Sequence, residues 1–154
     1  MLKRIILIVF VNILYFNSSF AQNFNNMNVS FISAGVNVGF ADSAGFQFGG
    51  EVSIFKLKSD QRKLIWYGMF ADVLTNTEKL KVSIGPEIGW FILGFEPAYF
   101  FEVEDKQVIH GINGRVVLSL AVLHLYYRHG WGLNIKQQYN EFGLLLKMPI
   151  RLNK

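Results

Sequence analysis

Apolar residues alternate with small or polar ones in steps of two along nearly the whole chain after its first thirty residues, which admits extended strands and little else. Ile32, Ala34, Val36, Val38 and Phe40 fall on one face, with Ser33, Gly35, Asn37 and Gly39 on the other. After Ala41 to Gly45, which reads as a turn, Phe46, Phe48, Gly50, Val52 and Ile54 oppose Gln47, Gly49, Glu51 and Ser53. Lys58 to Gln61 breaks the pattern, and Ile65, Tyr67, Met69, Ala71 and Val73 then oppose Trp66, Gly68, Phe70 and Asp72. A turn at Leu74 to Glu78 precedes Leu80, Val82, Ile84, Pro86, Ile88, Trp90 and Ile92, which face Lys81, Ser83, Gly85, Glu87, Gly89 and Phe91.

Gly94 to Pro97 reads as a bend, after which Tyr99, Phe101 and Val103 continue to a break at Glu104 to Gln107. Between Val108 and Arg128 two registers compete. Asn113-Gly114 is a hairpin signal, whereas Arg115 to Arg128 contains no turn residue. As a single strand that stretch would send Arg115 and Arg128 to opposite faces; a tight turn near Ser119 to Ala121 keeps both on the polar face. It gives one strand ending near Leu118 and another from Val122 to Arg128. His129 to Glu141 is then the longest loop, and Phe142, Leu144, Leu146, Met148 and Ile150 form the last apolar row. Eight strands result.

A closed sheet of eight strands presents two unlike faces whether its apolar side points in or out. The interior of such a barrel only just holds its own side chains, and the apolar rows above supply roughly thirty mostly large residues, more than it can hold. The opposite rows are rich in Gly, Ser and single charges, which suits a crowded lumen. The apolar rows are therefore expected to face lipid, on strands of the length that crosses a bilayer at a tilt. Only 17% of residues are charged, against about 25% in soluble domains, which agrees with a scarce wet surface.

The first twenty-one residues read as an address. Lys3 and Arg4 precede an apolar run from Ile5 to Phe16 that is too short to span a bilayer as a helix. Ser19 and Ala21 provide small residues two apart, with cleavage expected before Gln22. Residues 1–21 are thus expected to be a cleavable signal peptide, and residues 22–154 a single barrel domain. Cysteine is absent, which excludes disulfides, thiolate metal sites and a lipid-modified N-terminal cysteine. Without Lys3 and Arg4, the 15 basic residues fall to 13 against 11 acidic ones, and no basic run interleaves with aromatics, so nucleic acid is not an expected partner. Asn28-Val29-Ser30 matches a glycosylation pattern that bacterial export would leave unused.

With its signal sequence, Asn-rich start and eight alternating segments closing on Phe142 to Leu152, the chain resembles the small outer-membrane barrels of the OmpA/OmpX kind. The resemblance covers nearly all of the mature chain. It implies an all-β, eight-stranded antiparallel up-and-down transmembrane barrel in a Gram-negative outer membrane, with lipids as partners and the barrel-assembly machinery engaged during insertion; the oligomeric state stays open, with a monomer favoured. Barrels of that kind usually end on an aromatic, where this sequence has Arg151-Leu152-Asn153-Lys154.

Glu51, Asp72, Glu87 and Glu102 fall on the expected lumen face, with Lys81, Arg115, His124, Arg128, Lys147 and Arg151 as candidate partners. Unpaired charge in a narrow lumen is costly, so these groups are expected to form a charge network and not a catalytic site. The segment Tyr126 to Gly132 is similar to the histidine segment of lipid A deacylases, another eight-stranded outer-membrane family, which would give His129 the base role and Glu141 the acid role. Trp131 stands where that family has its serine, and acyl transfer without a nucleophile has no first step. His110, His124 and His129 lack a metal-ligand spacing and no nucleotide-binding glycine pattern occurs, so neither metal nor cofactor is expected. The expectation is a non-enzymatic barrel with a structural or surface-interaction role. The alternatives are an outer-leaflet lipid hydrolase and a periplasmic lipocalin-like binding barrel.

Overall fold

The computed structural model describes residues 28–60, 63–104 and 107–152. The expected signal peptide, residues 1–21, and its cleavage point before Gln22 lie outside the described residues. Eight strands follow one another: β1 (Asn28–Ala41), β2 (Gly45–Asp60), β3 (Lys63–Thr75), β4 (Lys79–Trp90), β5 (Leu93–Glu104), β6 (Gln107–Leu120), β7 (Leu123–Gly132) and β8 (Gln138–Arg151). Each pairs antiparallel with its neighbours in the chain, and β8 returns to β1 from Phe31↔Arg151 to Ala41↔Glu141, closing an up-and-down barrel with no free edge. The described residues contain no helix.

The two faces divide as the alternation dictates, with the apolar rows outward. Val36, Phe48, Ile88 and Leu146 are 64%, 55%, 54% and 56% exposed, while Asn37, Glu51, Asp72, Lys81, Ser83, Arg115 and Arg128 are buried inside. A few large apolar side chains join them in the lumen, among them Trp66, Phe70, Leu74, Phe100, Val117 and Leu145. Glycine makes room where rings lie flat against the wall: a Cβ on Gly143 would stand 2.2 Å from the Tyr126 ring.

Three connections bear on the sequence expectation: two depart from it, and the one between them falls beside the place expected. Gly94 to Pro97 is no bend; the chain turns at 91–92, and β5 already begins at Leu93. Gly94 is needed because a Cβ there would meet the Trp66 ring at 2.5 Å. Pro97 lies where the β4–β5 pairing is interrupted, between Ile84↔Tyr99 and Ile88↔Phe95, and Pro86 sits in the same gap on the partner strand. Two residues without an N–H thus share one break in the ladder. Secondly, Asn113-Gly114 lies inside β6, and the turn falls at 121–122, next to the Ser119 to Ala121 position favoured by the arginine parity. Thirdly, the expected loop from His129 to Glu141 shrinks to residues 133–137, because His129↔Asn140 and Gly130↔Tyr139 pair across β7 and β8.

The turns at 91–92 and 121–122 each place an ordinary residue at positive φ, Phe91 at 56° and Ala121 at 63°. At the other end Asn76 organises its turn. Its Oδ1 accepts from the Lys79 N–H at 2.7 Å and its Nδ2 donates to the Ala44 carbonyl at 2.6 Å, tying two neighbouring turns together.

Candidate functional site: a charge-paired lumen

Cross-strand register brings like charges together before the barrel closes. Glu51 stands opposite Asp72 across β2 and β3, and Arg115 stands opposite Arg128 across β6 and β7. Like charges directly opposite one another destabilise a sheet when left alone. Closure puts β2 and β3 across the lumen from β6 and β7, so the acidic pair meets the basic pair as crossbeams. Arg115 Nη2 reaches Glu51 Oε2 at 2.5 Å and its Nη1 reaches Asp72 Oδ2 at 3.3 Å; its third partner is Glu96, its own cross-strand neighbour. Arg128 pairs with Asp72 and, at 3.5 Å, with Glu141.

The network extends toward both ends. Lys147 Nζ lies 2.7 Å from Glu51 Oε1 and 3.1 Å from Glu87 Oε2, and Lys81 pairs with Glu141. The Tyr126 hydroxyl donates to Glu141 Oε1 at 2.8 Å. Aromatic faces cover the cations: Arg115 lies 4.6 Å from the Phe70 ring centre and Lys81 lies 4.3 Å from that of Tyr139. A separate pairing at the mouth joins Lys79 to Glu102 at 3.5 Å and to Glu104 at 2.9 Å. The guanidinium fork suits Arg115 to this junction, because one planar group serves three carboxylates that converge from three strands.

Glu51, Asp72, Glu87, Lys81, Arg115, Arg128 and Lys147 come together in one connected set, whereas Glu102 belongs to the pairing at the mouth. His124 and Arg151 stand apart from both. His124 meets the Ser119 hydroxyl at 2.9 Å beside the 121–122 turn, and Arg151 is exposed at the end of β8. Both occupy inward positions by count, but they lie at the terminal opening, beyond the carboxylates. Glu96, Lys79 and Glu104 were missed by the sequence reading. Glu96 has the inward parity of Glu102, and only the supposed bend at Gly94 to Pro97 hid it.

His129 and Glu141 do not meet. Glu141 points into the lumen, while His129 lies on the outer face, its Nδ1 2.7 Å from Asn140 Oδ1. The Tyr127 hydroxyl donates to the same Asn140 oxygen at 2.7 Å, and Asn140 donates through Nδ2 to Asp42 at 2.7 Å and through its backbone N–H at 3.0 Å. The backbone N–H of Asn140 holds the Asp42 carboxyl below its ordinary range, followed by the Asn140 side-chain amide. Trp131, in the position of the deacylase serine, packs edge-on against His129 at 4.3 Å between ring centres. This cluster fastens the β1–β2 turn to β8.

A small cleft opens at the mouth of the lumen. Phe100, Glu102, Ile109, Gly132, Gln137 and Tyr139 line a cleft of about 10 Å³, room for about one water. No grouping of His, Asp and Glu suited to a metal ion occurs among the described residues. The sequence matches no protein-family model, and none of the curated proteins compared with it is significantly similar.

Proposed function

We propose that the chain is an exported, non-enzymatic outer-membrane barrel whose outer face meets lipid and whose lumen is a rigid, charge-paired filling. The observation that carries this reading is the inversion of faces. Val36, Phe40, Phe48, Ile84, Ile88 and Leu146 are each more than half exposed, whereas Glu51, Asp72, Glu87, Arg115, Arg128 and Glu141 are each at most 2% exposed. Water would penalise an apolar belt that runs around the whole barrel, and hydrocarbon would not. The strands have the right reach. β7, with 10 residues, is the shortest; at about 3.3 Å per residue and a tilt near 40° it crosses about 25 Å, the height of an outer-membrane apolar band.

The signal-like N-terminus supports export, and insertion then calls on the barrel-assembly machinery; the closed edge favours a monomer. A filled lumen supports a structural role or a surface-interaction role through the 133–137 loop over solute flow. For a deacylase-like hydrolase the difficulty is that His129 and Glu141 occupy opposite faces. For a lipocalin-like carrier it is that charge lines the inside.

Membrane fractionation with a heat-modifiability gel tests the proposal. The protein should sediment with outer membranes, and its band should shift between unboiled and boiled samples. Release with the soluble periplasm would overturn it.

A further inference from the structure

Among the described side chains, the outward positions of the eight strands carry Lys, Arg, Asp or Glu at Lys56, Lys58 and Lys63 alone. All three lie on adjoining ends of β2 and β3, with Lys58 opposite Ile65 and Lys56 opposite Tyr67. Tyr67 is 44% exposed, and Trp90, opposite Ile65, is 66% exposed. Lysines beside aromatic side chains at the edge of an apolar belt lay their methylene stems along it and hold their ammonium groups at headgroup depth. Among the described residues the other rim has no such cluster; its turns carry exposed Asp42 and Glu78 and a single exposed Lys136.

The lysines occupy the end of the barrel that holds the start of β1 and the finish of β8. Its described connections, residues 91–92 and 121–122, have two residues each, while those at the opposite end, 42–44, 76–78 and 133–137, have three, three and five. Short turns face the periplasm in outer-membrane barrels. We propose that Lys56, Lys58 and Lys63 form a docking surface for the headgroup phosphates of anionic glycerophospholipids in the periplasmic leaflet. Charge complementarity favours this occupant: three cations on the last rungs of the β2–β3 ladder, from Lys56 opposite Tyr67 to Lys63 opposite Asp60, meet a layer of phosphodiesters, which attracts each of them. The inference rests on the membrane reading above, and its test keeps the two apart.

The mature chain with Trp131→Phe, folded into vesicles, leaves Trp90 as the tryptophan of the outer face, next to the lysine cluster. Brominated phosphatidylglycerol and brominated phosphatidylcholine are then compared as quenchers of its fluorescence. Phosphatidylglycerol should be preferred by about fivefold, the effect of one basic residue near an anionic surface. High salt and the triple substitution Lys56→Gln, Lys58→Gln, Lys63→Gln should each abolish the preference, and the triple Lys→Arg variant should keep it. Equal quenching by the two lipids, or a preference that survives both high salt and the Gln variant, would overturn the docking surface while leaving the membrane barrel intact. Failure to fold into pure phosphatidylcholine vesicles would overturn the membrane reading and this inference with it. Should the Gln variant not fold, the salt titration of the parent decides alone.

Discussion

Replacing Arg115 by Met removes the junction on which three carboxylates converge, and the structure says which of them suffers. Glu51 keeps Lys147 and Asp72 keeps Arg128, but Glu96 has no second cation partner among the described residues. Arg115 and Glu51 are fully shielded and Glu96 nearly so, at 0%, 0% and 2% side-chain exposure, so little solvent screening softens the loss. Breaking a buried pair by removing one partner costs about 3–5 kcal/mol. Removing Glu96 as well, in Arg115→Met with Glu96→Gln, takes away the stranded charge. The cost should then fall to about 1–2 kcal/mol, because replacing both members of a buried pair is far milder than orphaning one. Contact between Arg115 and the Phe70 ring is lost in both variants and drops out of the comparison. Urea unfolding in vesicles, followed by tryptophan fluorescence and by the heat-shifted gel band, measures the difference. If the double variant is no more stable than Arg115→Met, or if Arg115→Met costs less than about 1 kcal/mol, a network of this kind is not what holds the lumen.

Further outcomes follow from other parts of the barrel. Ala121→Gly should stabilise by about 1 kcal/mol in the same unfolding assay, because its φ of 63° strains any residue with a Cβ. Gly143→Ala should cost about 1–3 kcal/mol, since the new methyl collides with the Tyr126 ring and pushes its hydroxyl off Glu141. Val36→Arg, on the middle of β1, should cost about 2–4 kcal/mol in vesicles, the midplane penalty of a lipid-facing barrel; a neutral result would show that Val36 faces water. Asp42 has its carboxyl lowered in the folded state, so its bonds to Asn140 contribute fully above the ordinary Asp range and fade only as pH falls through the depressed value. Amide exchange of Asn140 against pH should therefore keep its protection through the ordinary Asp range and lose it below.

The period-two rows made the strands and their parity legible, because alternation is a local property: Val36 and Asn37 cannot share a face in any strand. The arginine parity argument worked for the same reason and put a turn next to 121–122 with no turn residue to mark it. Phe91 and Ile92 offered no such argument. Neither is a turn former, and Gly94 and Pro97 nearby drew the bend to the wrong place; one of them makes room for Trp66 and the other sits in a gap in the ladder. The pairing of lumen charges was legible only in part. Which residues point inward follows from counting, but the meeting of Glu51 with Arg115 depends on closure, a relation between strands far apart in sequence. His124 and Arg151 show the limit of counting, since parity does not say where the lumen ends.

The buried charges also bear on why this sequence selects one register. A soluble core of similar size would be at least as stable with apolar side chains in place of these ion pairs. Here the apolar residues are committed to the outer face, and a pattern of large outward and small inward residues tolerates sliding by two. A slip of one residue in β6 alone would carry Arg115 to the apolar side, at a cost of about 2–4 kcal/mol where that side meets lipid as proposed, and would leave Glu96 without its cation. A slip of two keeps Arg115 inside but lifts it a full pleat away from Glu51 and Asp72, whose positions β2 and β3 fix independently. Each strand from β2 to β8 contributes a charge to these pairings, so sliding any of them breaks a bond to a strand that has not moved. Charge in the lumen thus specifies alignment, which the repetitive alternation of the strands by itself leaves open.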